Sequence, residues 1–131
     1  MKKYFTLIIL AFVFWGHAQT KKCSDYEVGD FIYPDNPNKV SSRSATKQES
    51  YDGTELQAVW DVKWSSECDY ALTCEKVLTD KVPFKIGDVI KVTIVGTDDE
   101  CYTFSCIVYN QFYPDGVSVP EGKMCRKKVN P

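Results

Sequence analysis

Residues 56–75 read LQAVWDVKWSSECDYALTCE, and this stretch decides the fold. Leu56, Ala58, Trp60, Val62 and Trp64 recur at every second position, with Glu55, Gln57, Asp61 and Lys63 opposite them. A period of two puts one set on one face of a strand, whereas a helix would scatter it around its circumference. After Ser65-Ser66-Glu67 the alternation resumes through Cys68, Tyr70, Leu72 and Cys74, with Asp69, Thr73 and Glu75 facing the other way. Pairing Trp64 with Tyr70, Val62 with Leu72 and Trp60 with Cys74 keeps these apolar side chains on one side. That pattern specifies an antiparallel hairpin together with its register.

A second hairpin follows. Ile90, Val92 and Ile94 alternate, Gly96-Thr97-Asp98-Asp99-Glu100 turns, and Tyr102, Phe104, Cys106 and Val108 alternate back. Residues 81–88, KVPFKIGD, read as a loop because of Pro83 and Gly87. Residues 29–35, GDFIYPD, read as a short strand closed by Pro34. From Asp35 to Lys47 the chain is polar and rich in turn residues, with strands expected only near Val40 and Gln48. A last strand is expected over Val117–Arg126, after the turn at 113–116, YPDG. The sum is an all-β antiparallel meander of seven or eight short strands. Closure removes exposed edges, so a small barrel of lipocalin-like appearance is the expected form, with an open sandwich as the alternative.

The chain begins MKKYFTLIILAFVFWGHAQ: two lysines, an apolar run from Tyr4 to Trp15, then Gly16-His17-Ala18. This is the layout of a signal peptide cut after Ala18, and the run is too short to span a bilayer. The reading is therefore a signal peptide at 1–18 and one all-β domain at 19–131, exported to the periplasm or secreted, with no membrane span after cleavage. Loss of 18 from 131 residues leaves 113, enough for a single core. Losing Lys2 and Lys3 takes the net charge from −2 to −4. An acidic chain lacks the basic face that nucleic-acid binding requires. Lys123, Arg126, Lys127 and Lys128 form the one basic cluster, read as a solvated tail or a phosphate patch.

The single histidine, His17, leaves with the signal peptide. Ser-His-Asp and Cys-His centres and histidine-ligated zinc are excluded with it, leaving chemistry only to carboxylates, lysine and tyrosine. No metal or cofactor is expected. Asp98, Asp99 and Glu100 are read as a calcium turn or simply a turn, since calcium wants six or more oxygens.

The six cysteines, Cys23, Cys68, Cys74, Cys101, Cys106 and Cys125, lack any C-x-x-C pair and read as up to three disulfides. Fifteen connectivities are open. Strand parity groups Cys74 with Cys106 on the inward face and Cys101 with Cys125 on the other. A hairpin centred on Tyr113 puts Cys101 opposite Cys125. The Ile90–Ile94 strand would lie between Cys74 and Cys106, so that bridge needs curvature or another strand order. Trp60, Trp64, Tyr70, Tyr102 and Phe104 share the inward face and are candidates either to line a ligand pocket or to fill the core.

Arg43 with Gln48 five positions on, then VKWSSECDYAL, then IKVTIV, resembles a family of small uncharacterised exported β-proteins of Flavobacteria. Cys23, the Gly29-Asp30-Phe31 strand and the GHAQ leader ending fit the same pattern, while Ser50 and Glu67 depart from it. The resemblance implies a Cys23–Cys68 bridge and singles out Arg43 and Gln48, either as ligand contacts or as a structural pair. Some members carry a DNA topoisomerase IV label, which a short acidic chain without a nucleotide-binding signature does not support. The expected role is a binding module for a small ligand or an envelope protein. The alternatives are a structural or adhesion domain, then a histidine-free carboxylate enzyme.

Overall fold

The structure is a computed structural model that describes residues 22–128; the segment read as a signal peptide lies outside them. A 3-10 helix, Cys23–Tyr26, precedes eight strands: β1 (Gly29–Tyr33), β2 (Asn36–Arg43), β3 (Lys47–Asp52), β4 (Glu55–Trp64), β5 (Asp69–Val77), β6 (Val89–Thr97), β7 (Cys101–Tyr109) and β8 (Val117–Arg126). Each strand pairs antiparallel with the next, and β8 returns to β1 through Phe31–Arg126 and Ile32–Cys125. The result is a closed barrel in strict sequence order. Among the described residues no helix is long and apolar enough to cross a membrane.

The β4–β5 hairpin has the register that alternation demands: Trp60 faces Cys74, Val62 faces Leu72 and Trp64 faces Tyr70. Trp60, Val62, Tyr70, Leu72 and Cys74 are buried, while Asp61, Lys63 and Thr73 face solvent. Ile94 and Tyr102 from the second hairpin continue the same inner layer.

Residues 35–47 depart from the reading of a turn-rich segment. They supply all of β2, and β3 begins at Lys47; the turn between them takes only residues 44–46. The inward row here is Ser41 and Arg43 on β2, facing Ser50 and Gln48 on β3, with Lys39 opposite the exposed Asp52 at the rim. Hydrophobic periodicity is silent because this part of the barrel's inner wall is polar.

The lower end of the barrel is sealed. Tyr26 is fully buried there, with its ring 5.3 Å from Tyr102 and 6.2 Å from Phe31, and its hydroxyl donates to the Asp98 carbonyl. A Cys23–Cys68 disulfide ties the 3-10 helix to the β4–β5 turn. A second disulfide joins Cys101 to Cys125, directly opposed across β7 and β8. The expected Cys74–Cys106 bridge does not form; both are free thiols. β6 lies between them: Cys106 pairs with Val92, and Val92 with Tyr70, so Cys74 is a further four residues along β5. Two strand spacings and that offset separate them by about 16 Å, well beyond the roughly 7 Å a disulfide allows.

Candidate functional site

Arg43 sits inside the barrel with 3% of its surface exposed. Its Nε donates to Gln48 Oε1 at 2.8 Å, across the β2–β3 pair. One terminal nitrogen donates to the Tyr26 carbonyl at 2.9 Å, and the other to the hydroxyls of Tyr102 and Tyr70 at 2.8 and 3.1 Å. The guanidinium carbon lies 4.5 Å from the Tyr70 ring centroid and 4.9 Å from that of Phe31. Among the described residues no carboxylate pairs with it. Burial alone would lower the guanidinium's pKa, but the phenol oxygens of Tyr70 and Tyr102 outweigh it, so Arg43 stays charged. The barrel thus holds a cation supported by dipoles and aromatic faces instead of a counter-ion.

Above this layer the barrel is hollow. A cavity of about 350 Å³ opens at the upper end, under the loop of residues 78–88. Phe84 from that loop packs edge-on against Trp60 at 4.9 Å, and the loop is anchored by hydrogen bonds between Cys74 and Gly87 and Asp88. Leu72, Ala58 and Ile90 add apolar wall. Polar groups converge among them. Gln48, Ser41 and Gln57 are 6%, 6% and 3% exposed and all line the cavity. Gln57 turns inward because β3 and β4 shift register between Ser50 and Tyr51. Ser50 accepts the Trp60 indole N–H at 3.2 Å.

Gln48 and Trp60, both singled out in the sequence, therefore line the cavity. Arg43, Tyr70 and Tyr102 do not line it; they lie in the packed layer beneath, joined to the lining through Gln48. Trp64 lies lower still, with its ring 4.5 Å from Tyr70, and its buried indole N–H has no partner. Ser41 and Phe84 escaped notice, since a small polar residue and a loop aromatic carry no periodic signal, and Gln57, which alternation places on the face opposite Trp60, is instead carried inward by the register shift. Tyr33 escaped too. It is 39% exposed and lines the cavity, and partial burial, with the nearby Tyr102 and Cys106 groups adding to it, raises its pKa.

The other candidates have local roles. Asp98 accepts the backbone N–H groups of Glu100 and Cys101, which closes the turn and lowers its pKa. Arg126 covers the rings of Tyr26 and Phe31 and donates to the Asp25 carbonyl, so the C-terminal basic cluster is not one free patch. No protein-family model, curated protein or solved structure matches the chain.

Proposed function

We propose that this protein is an exported carrier or sensor that binds a small, largely apolar molecule in the upper half of its barrel. The cavity walled by Trp60 and Phe84 carries this reading. Its volume of about 350 Å³ lies at the lower end of the range for small-molecule sites, which are apolar clefts with a few convergent polar groups. A barrel built only for packing would fill that space, as the lower half does with Tyr26, Phe31 and Tyr102. Export is supported by the two disulfides and by the character of residues 1–18, and the resemblance to small exported flavobacterial proteins agrees with it.

Native mass spectrometry of protein purified from its own host, followed by denaturation, tests the reading. A released small molecule is expected, and Ala58→Phe, which projects a ring into the cavity, should abolish it while near-ultraviolet circular dichroism stays native. A ligand-free wild type that also takes up nothing from a host metabolite extract would overturn the reading. A second reading, docking of an envelope or extracellular protein, draws support from Ile86 and Phe112. They are 72% and 75% exposed on loops at the end where the cavity opens. Cross-linking in intact cells, with a photoreactive group at Phe112, would capture such a partner.

A further inference from the structure

We infer that the cavity selects a molecule carrying a carboxylate, with the anionic group on Gln48 and Ser41 and the apolar body against the wall formed by Trp60 and Phe84. This rests on the small-molecule reading above and gives the ligand its chemistry.

The first support is the direction of the hydrogen bonds. Gln48 gives its carboxamide oxygen to Arg43, which leaves its two N–H donors on the cavity lining. They have no partner among the described residues, and neither does the Ser41 hydroxyl. Gln57 likewise accepts from Lys39 through its oxygen at 3.2 Å, leaving its own N–H groups unpaired. These donors open on the cavity and not on packed atoms, so water or a ligand there accepts from them. The cavity is therefore rich in donors and poor in acceptors. Arg43 also polarises the Gln48 amide, which strengthens the donors on its far side.

Charge is the second support. At the rim, Lys39 is paired with Asp52 at 3.3 Å and Lys81 with Glu55 at 3.2 Å, so those charges cancel. Glu49, on the outward row of β3, is engaged by Tyr51, and Glu75 by Lys47. Among the described residues Arg43, beneath the cavity, has no carboxylate partner. A carboxylate on the Gln48 amide would lie about 7 Å from the guanidinium, two hydrogen bonds away. At an effective dielectric near 20, that attraction corresponds to roughly ten- to fifty-fold in affinity. An amine of the same shape would be repelled to the same degree.

The test uses three probes of one shape: 4-phenylbutanoate, 4-phenylbutanamide and 4-phenylbutylamine, titrated calorimetrically into the purified protein at neutral pH. The acid should bind at least tenfold tighter than the amide, and the amine should not bind detectably. Gln48→Glu, which turns donors into acceptors and neutralises Arg43, should weaken the acid at least tenfold while leaving the amide within a few-fold. Ser41→Asp is a second route to the same loss should Gln48→Glu fail to fold. Equal affinity for acid and amide would overturn the carboxylate inference while leaving a small-molecule cavity standing. Tighter binding of the amine would overturn it as well. No binding by any probe, together with a ligand-free native protein, would remove both.

Discussion

Arg43 Nε and Gln48 Oε1 meet at 2.8 Å across paired strands in the barrel interior, and among the described residues no carboxylate shares the guanidinium. Arg43→Leu would fit the space but orphan the Tyr26 carbonyl and the Gln48 oxygen, while the Tyr70 and Tyr102 hydroxyls keep their contact with each other and Tyr102 its contact with Met124. Each unsatisfied buried group costs about 1–3 kcal/mol, so a total of about 2–6 kcal/mol is expected for the two. Urea unfolding with an unchanged slope and a lower midpoint would show it; a midpoint within error of wild type would mean the network contributes nothing.

Trp64 has a buried indole N–H without a partner, stacked 4.5 Å from Tyr70. Trp64→Phe removes the orphan donor and keeps the ring contact. We expect a change within about 1 kcal/mol, against a loss of about 3 kcal/mol for Trp64→Ala. Equal losses for the two variants would show that the indole N–H is satisfied in solution.

Alkali should unfold the barrel cooperatively. Burial is the main cause that raises the Tyr70 phenol well above its ordinary 10.0, and it raises those of Tyr33 and Tyr26 as well. A raised folded pKa means the unfolded chain releases its protons first. The stabilisation is complete below pH 10 and is lost as the pH climbs above it. Phenolate absorbance at 295 nm should therefore rise together with loss of β-sheet circular dichroism. Early titration of all the tyrosines in a still-folded protein would contradict the buried cluster.

Thiol chemistry separates the cysteines into classes. Ellman's reagent in denaturant without reductant should find two thiols per chain, those of Cys74 and Cys106. In the native protein Cys74 should react slowly, being 2% exposed. Burial also raises the pKa of both thiols, which slows them further. Zero thiols in the denatured chain, or a Cys74–Cys106 peptide in a non-reducing digest, would refute the strand order.

The legible half of the barrel is the one whose inner wall is apolar. Trp60, Val62, Tyr70 and Leu72 announce their face because burial of hydrocarbon selects a period of two, and that period carries the register with it. The Cys101–Cys125 bridge follows from the same arithmetic, since directly opposed residues of one hairpin need no knowledge of the rest of the fold. β2 and β3 were harder to read. Their inward residues, Ser41, Arg43, Gln48 and Ser50, look like those of a surface loop.

Local pattern thus determined the strands, the hairpin register and one disulfide. Only the closed barrel decided the rest. It set Arg43 among Tyr26, Tyr70 and Tyr102, residues 17, 27 and 59 positions away along the chain. It offset Cys74 from Cys106 by four residues beyond the intervening β6, and it left the space above Gln48 unfilled. Periodicity reports which way a side chain points relative to its neighbours. Whether that direction ends in packed atoms, a buried cation or a cavity depends on what the distant strands bring to meet it, and no local signal carries that.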